Sequence, residues 1–282
     1  MGADRADLNR IPFFKMSGSG NDFVFLDGRV DRLRALETPD AIRRLCARGT
    51  GIGADGVVWL LPATGDAAFR MRYRNSDGSI ADMCGNASLC SVSLSIELGL
   101  APAGRPFAFE SDAGVLRGRR RPDGLPEVTL TPIQGLEPEA RVTPKGDEVR
   151  IGYANSGVPH LVVLVPDANR ADLMTRGRNL RNDPAYAPAG ANVDFLSRQG
   201  QSGPWRMRTY ERGVEGETLA CGTGAAASAA LIHAWHPGGE EIALETTSGL
   251  TLLVSLHESG GISTPSLAGE GRIVFSGETT EL

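Results

Sequence analysis

Two of the four cysteines stand where a thiol can act as a base. Cys84 is followed by Gly85 and Asn86, and Cys221 by Gly222 and Thr223. Each then leads into a run, 87–98 or 224–235, that is rich in small residues and apolar on nearly every face. A helix without a polar side is buried all round, so both cysteines are read as standing at the start of a buried helix. The reactive form of cysteine is the thiolate, and a helix N-terminus lowers the thiol pKa from about 8.5 into a usable range. The first turn also offers N–H groups that have no partner within the helix and carry partial positive charge. A carboxylate binds there, and an enolate-like anion forming on that carboxylate binds more strongly.

Two such units make a device for inverting a stereocentre. One thiolate takes the α-proton from one face and the other thiol returns a proton to the opposite face. The two begin in opposite protonation states and titrate as a coupled pair. This chemistry calls for no redox cofactor, pyridoxal phosphate or metal, because exclusion of water and fixed electrostatics lower the barrier. The other two cysteines, Cys46 and Cys90, read as packing residues on helical faces.

The elements that must hold the two thiols form an internal repeat. MRYRNSDGSIADMCGNAS begins at Met71 and MRTYERGVEGETLACGTGAAAS at Met207, with thirteen and fourteen positions from Met to Cys. Both copies run from Met-Arg through a strand and a polar turn to Cys-Gly and a buried helix. An ordered repeat of this kind implies two similar supersecondary units. Facing each other, they would set Cys84 and Cys221 across one cleft.

Elsewhere the chain of 282 residues turns often, with 36 glycines and 17 prolines. Short β-branched or aromatic runs predict strands at 23–26, 57–61, 69–73, 127–130, 161–165, 193–196, 205–210, 250–254 and 272–275. Residues 39–48 read as a helix with Pro at its start and Gly49 after its basic end. The Arg117, Arg119, Arg120 and Arg121 run reads as a solvated strand end and turn. A net charge of −5 argues against a nucleic-acid or anionic-membrane surface. No apolar run reaches membrane-spanning length, and residues 1–10 lack a signal peptide's apolar core, so a cytoplasmic protein is expected. No CxxC pair occurs; His233 and His236 lie just before Pro237 and read as a helix end rather than a metal pair.

On these segments the chain resembles the diaminopimelate epimerase family over nearly its whole length. The resemblance is carried by KMSGSGNDFV at Lys15, GTGIGADG at Gly49, RNSDGSIADMCGN at Arg74, SGVPH at Ser156, ANVDF at Ala191 and TYERGVEGETLACGTG at Thr209. It implies an α/β (α+β) fold of two pseudo-symmetric domains, each a curved, mostly antiparallel sheet wrapped around a central buried helix, with the active site between them. The expected domains are 1–130 with 268–282, carrying Cys84, and 131–267, carrying Cys221. It further implies that Cys84 and Cys221 are the catalytic bases and that His160 and Glu211 assist them. Asn21, Asn75 and Asn192 would bind substrate, with Glu211 also in contact. Arg212 would hold the distal carboxylate, for which a bidentate guanidinium is suited. Gly85, Asn86, Gly222 and Thr223 would supply donors around the reacting carboxylate. The implied reaction interconverts LL- and meso-2,6-diaminopimelate in lysine and peptidoglycan precursor synthesis. A homodimer with a small amino-acid substrate and no cofactor is expected.

The chain departs from the family pattern at three places. Val158 stands where the family has Asn in GNPH. Ala87 and Leu89 replace a glycine and an arginine after Cys84, and Gly56 takes a position often held by Gln. These bear on recognition of the distal end of the substrate. A racemase of the same fold acting on another amino acid is the nearest alternative, and a thiol redox switch or a binding protein is the alternative of another class. Gly51-x-Gly53-x-x-Gly56 matches a dinucleotide fingerprint in spelling only, since a helix precedes it and a strand follows, the reverse of what that motif needs.

Overall fold

The computed structural model describes residues 10–80, 83–200 and 203–279. In chain order its elements are β1 (Ile11–Gly18), β2 (Asn21–Asp27), α1 (Asp31–Arg34), α2 (Pro39–Cys46), β3 (Gly56–Leu61), β4 (Arg70–Asn75), α3 (Gly85–Glu97), β5 (Phe107–Ser111) and β6 (Gly114–Arg120). There follow β7 (Pro126–Thr129), β8 (Gln134–Glu137), β9 (Arg150–Asn155), β10 (Pro159–Leu164), α4 (Leu173–Arg181), β11 (Asn192–Arg198), β12 (Trp205–Glu211) and β13 (Gly216–Thr218). The last are α5 (Gly222–Trp235), β14 (Glu241–Glu245), β15 (Thr251–Ser259), β16 (Ile262–Ala268) and β17 (Arg272–Thr279). Strands predominate over helices, giving the mixed α+β class. The chain forms two compact units, Met1–Val128 with Glu270–Leu282, and Thr129–Gly269. Leu130 and Ala268, expected at the edges of the first domain, belong to the second unit. The Leu130 amide donates to the Pro265 carbonyl, and Ala268 pairs with Leu253 on β15.

In the first unit β1 lies antiparallel to both β17 and β2. The β2–β3 pair is parallel, which requires a crossover; α2 is part of it. Thr38 caps α2 by accepting from the Ala41 amide, and Pro39 takes the first helical position, where a missing N–H costs nothing. β3 and β4 are antiparallel, β4 and β5 parallel with α3 as the crossover, and β5 and β6 antiparallel. α3 packs on β1, β3, β4, β6 and β17. Its Leu89, Cys90 and Val92 are fully buried, each apolar side chain of this kind contributing about 1.5–3 kcal/mol. Gly118 lets α3 lie close, since a Cβ there would sit 2.5 Å from Val92 Cγ2.

The second unit repeats this plan. β9 is antiparallel to β8 and β10, and β10 is parallel to β11 with α4 in the crossover. β11 and β12 are antiparallel, β12 and β14 parallel with α5 between them, and β14, β15 and β16 antiparallel in turn. α5 packs on β9, β10, β11, β15 and β16. Gly152 plays the part of Gly118, because a Cβ there would stand 2.5 Å from Leu231 Cδ2.

The correspondence extends to register. Phe23 pairs with Gly56 as His160 pairs with Asn192, and Leu60 pairs with Met71 as Leu196 pairs with Met207. Even the turns match: Gly20 at φ 107° follows buried Ser19, and Gly157 at φ 105° follows buried Ser156. Such positive φ favours glycine at both. Among the described residues no helix is long and apolar enough to cross a membrane.

Candidate active site at two helix starts

Cys84 and Cys221 are the N-cap residues of α3 and α5, with closely similar backbone angles of φ −132°, ψ 120° and φ −133°, ψ 110°. Helix bonding begins at the same step in each, where the amide of Ser88 donates to the Cys84 carbonyl and that of Ala225 to the Cys221 carbonyl. Gly85 with Asn86, and Gly222 with Thr223, therefore form the first helical turns, whose N–H groups have no partner within the helix. All four cysteines are free thiols.

Around the start of α3 the side chains form a fixed chain of amides and charges. Asn86 Nδ2 donates to Asn21 Oδ1 at 2.7 Å, and Asn21 Nδ2 donates to Asp55 Oδ2 at 3.1 Å. Asp55 also accepts from the Asp22 amide and from Arg48. Lys15, a buried cation, donates to Asp22 at 2.6 Å and to the Gly53 carbonyl. Burial works against the charge on Asp22, yet hydrogen bonds from Arg48 and Lys15 hold its carboxyl below the ordinary range. Asn75 spends its amide on Ser79 Oγ at 2.9 Å, in the turn after β4. It lies across the β3–β4 pair from Gly56.

Gly56 has a steric cause. A Cβ there would lie 2.4 Å from the Tyr73 ring and 2.6 Å from the Arg74 carbonyl, so this chain has no room for a longer residue. Leu89 is fully buried within α3 and Val158 is half-buried. An arginine at position 89 would put a charge into the core rather than into a ligand site.

Around the start of α5 the network is tighter. Cys221 is 8% exposed, and its Sγ accepts from the Gly224 amide at 3.4 Å. Sγ also lies 3.4 Å from Thr223 Oγ1, which is 3.1 Å from His160 Nε2. His160 Nδ1 is 2.7 Å from Asp194 Oδ2, and Thr209 Oγ1 donates to Asp194 Oδ1 at 2.6 Å. Asn192 Nδ2 stands 3.3 Å from His160 Nε2, while its Oδ1 accepts from the Arg212 amide at 2.7 Å. Ser156 Oγ donates to the Thr223 carbonyl at 2.8 Å. Burial pushes the Cys221 thiol well up, and the charges of Glu211 and Asp194 push it further. The Thr223 hydroxyl and the Gly224 amide pull it back in part. The Arg212 guanidinium, half-buried, donates to the Ala189 carbonyl.

The structure thus gathers Asn21 with Asn86 at the start of α3, and His160, Asn192 and Thr223 in one network with Cys221 at the start of α5. Sequence reasoning missed Asp194, Thr209 and Ser156 in the second unit, and Asp55, Asp22, Lys15 and Arg48 in the first. A usable signal for Asp194 was strand alternation, since Asn192 and Asp194 lie two apart on β11 and share a face.

Comparison with known proteins places this architecture. Solved structures with the same fold include a hydroxyproline epimerase from Agrobacterium vitis, at TM-score 0.70 and 19% identity over 96% of this chain and 92% of that one. A phenazine biosynthesis protein of the PhzF family from Bacillus anthracis follows it at TM-score 0.72 and 17% identity, over 96% and 99%. A diaminopimelate epimerase of Gemmatimonas aurantiaca is 45% identical over 96% of this chain and all of its own length. That of Aquifex aeolicus is 41% identical over 78% of this chain and 80% of its own. The family model described as diaminopimelate epimerase matches residues 13–131 and 152–267, which include both cysteine helix starts and their polar surroundings. With a duplicated strand–cysteine–helix unit, a family model over most of its length and a relative matched along its whole length, the chain belongs to the diaminopimelate epimerase family.

Proposed function

We propose that this chain is an isomerase that interconverts LL- and meso-2,6-diaminopimelate at one α-carbon, with Cys84 and Cys221 as the paired base and acid. The observation that carries the reading is the duplicated unit that puts a cysteine at the N-cap of each of two buried helices, in a chain of this family. In this mechanism the reacting carboxylate takes up N–H groups of the first turns, at Gly85 and Asn86 and at Gly222 and Thr223. Those donors strengthen as charge builds on the enolate-like species. One thiolate removes the α-proton while the other thiol supplies its replacement from the opposite side, and the roles reverse in the return reaction.

His160 and Glu211 assist the thiols. Asn21, Asn75 and Asn192 hold polar groups of the substrate, with Glu211 also in contact and Arg212 on its distal carboxylate. The reading also takes the enzyme as a cytoplasmic homodimer that works without pyridoxal phosphate, supplying lysine and peptidoglycan precursors.

The test is α-proton exchange in deuterated water under reductant, with LL-diaminopimelate and a panel of other amino acids. Deuterium entering diaminopimelate together with interconversion to the meso form is the expected result. Exchange into another amino acid alone would move the substrate, and exchange into none would overturn the reading.

A further inference from the structure

Asp194 is a fully buried carboxylate, and burying such a charge is costly unless it is paired and hydrogen-bonded. Its partners are His160 Nδ1 and the Thr209 hydroxyl. It also rests against the start of α5, where a Cβ on Gly224 would be 2.6 Å from Asp194 Oδ1. A residue so placed is held by more than packing.

The protonation pattern of His160 follows from its neighbours. The Arg212 backbone N–H can only donate, so the Asn192 atom it meets at 2.7 Å is the oxygen. The amide nitrogen of Asn192 is then the end that faces His160 Nε2. A donor pointing at Nε2 requires a lone pair there, and the ring proton must lie on Nδ1, facing Asp194. With Nε2 as acceptor the Thr223 hydroxyl donates to it, leaving the Thr223 oxygen to accept from the Cys221 thiol. Every hydrogen bond from Cys221 to Asp194 then runs in one direction.

We infer that Asp194 is a positioning residue of this site: it holds the His160 proton on Nδ1 and so keeps Nε2 as the acceptor at the head of the Thr223–Cys221 chain. The inference gives His160 and Cys221 the roles of the proposed function and rests on that reading for its catalytic meaning. Proton loss from Cys221 along this chain balances simply: Sγ gives its proton to Thr223 Oγ1, which gives its own to His160 Nε2. The imidazolium so formed faces the Asp194 carboxylate. Thr223 on α5 contacts Cys221, His160 from β10 lies one hydroxyl away, and the charges of Glu211 on β12 and Asp194 on β11 act on the thiol.

The register of the other repeat supports the assignment. Val58 pairs with Tyr73 there, as Asp194 pairs with Thr209 here, and Phe23 stands at the position of His160. Carboxylate, threonine hydroxyl and imidazole occur together in one unit, where the other has valine, tyrosine and phenylalanine.

The experiment is nitrogen NMR on histidine-labelled protein, with His160 assigned by its loss in His160→Gln. In the wild type at neutral pH, His160 is expected as the neutral form protonated on Nδ1. Asp194→Asn is expected to move the proton to Nε2 or to mix the two forms, and to lower kcat about tenfold to a hundredfold with KM little changed. Partners that fix a metal-binding histidine through its other ring nitrogen carry effects of this size, and Asp194 stands in the same relation to the His160 ring. Should Asp194→Asn fail to fold, Thr209→Val, which removes only one support of the carboxylate, is expected to give the same change in smaller measure. A neutral Nε2-protonated His160 in the wild type overturns the inference, as does an unchanged ring pattern in folded Asp194→Asn. The ring pattern is read without substrate, so absence of epimerase activity with the expected pattern would sink the proposed function and leave the positioning role standing.

Discussion

Phe23, Val58 and Tyr73 occupy in the first unit the register positions that His160, Asp194 and Thr209 occupy in the second. In the first, Phe23 and Tyr73 meet edge to face at 6.0 Å, and Val58 is fully buried beside them in register. In the second, the same strand positions carry a hydrogen-bonded acid, hydroxyl and imidazole that run to the thiol. The residue three past each cysteine follows suit. Ala87 is accommodated in the first unit, whereas Gly224 in the second leaves room for the Asp194 carboxylate. One backbone plan, used twice, thus supports two unlike floors beneath its cysteines. The difference between the thiols is written in a handful of side chains and not in the fold.

The largest expected effect concerns the thiols themselves. Cys84→Ser and Cys221→Ser should each lower kcat by about 10²- to 10⁴-fold, the range for loss of a positioned acid or base. In Cys84→Ser, Cys221 should react with iodoacetamide along a curve displaced to alkaline pH, since burial and the charges of Glu211 and Asp194 disfavour its thiolate. A midpoint like that of a free thiol would break the comparison at its root.

Next in size is Leu89→Arg, which writes the common family residue into α3. It should cost about 3 kcal/mol or more, read from urea unfolding, because the site is fully buried and an unpaired buried charge is among the most damaging changes. A neutral outcome would mean that this helix face is open to ligand.

Gly224→Ala copies the first unit's residue into the second. Its Cβ would meet Asp194 Oδ1 at 2.6 Å, so a loss of about 1–3 kcal/mol from overpacking is expected, along with a fall in kcat. The reciprocal Ala87→Gly should cost about 1–2 kcal/mol, from helix propensity together with loss of a buried methyl.

The smallest effect is that of Cys90→Ala, which places in α3 the alanine that Ala227 supplies in α5. Burial pushes the Cys90 thiol well above its ordinary value. Its contribution to stability is therefore complete below the unfolded pKa of about 8.5 and falls as pH rises above it, by about 1.4 kcal/mol per pH unit per thiol. Cys90→Ala should flatten that alkaline decline in urea titrations between pH 8 and 10 on the order of this slope. Cys46, pushed up to about 12 by burial, continues to contribute to the decline.

Much of this arrangement is readable in the amino-acid sequence. The helices after Cys84 and Cys221 show themselves by lacking a polar face, and the Met-to-Cys repeat reveals that they are copies. The strands from Trp205 and from Arg272 begin where β-branched and aromatic runs begin; in β12 the pattern follows burial of one face, whereas Ile273, Val274 and Phe275 of β17 are exposed. β1 was missed since Pro12 interrupts it; the proline sits in a pairing with β17. β6 shows in the sequence only as an arginine-rich strand end, because its outward face is charged and just Leu116 and Gly118 face inward. α4 escaped notice because its buried side is only Leu173, Gly177 and Leu180. At the site, individually recognisable motifs yielded the thiols and amides. Asp194 was hidden because a lone acid in an apolar run declares its burial only when Thr209 and His160 are brought to it from other strands.

The strand that closes the sheet beside β1 is β17, the last described element of the chain, while the second unit runs without interruption from Thr129 to Gly269. During synthesis the order of emergence therefore differs from the order of completion. The second unit has all of its own chain once Gly269 has left the ribosome, whereas the first, though translated earlier, waits with one edge of β1 unpaired until β17 appears. Long-range pairing of this kind is slow to form and exposes an unpaired edge meanwhile. A nascent chain stalled before Arg272 would hold a finished unit and an unfinished one, so loss of β17 would be felt at β1, far away along the chain.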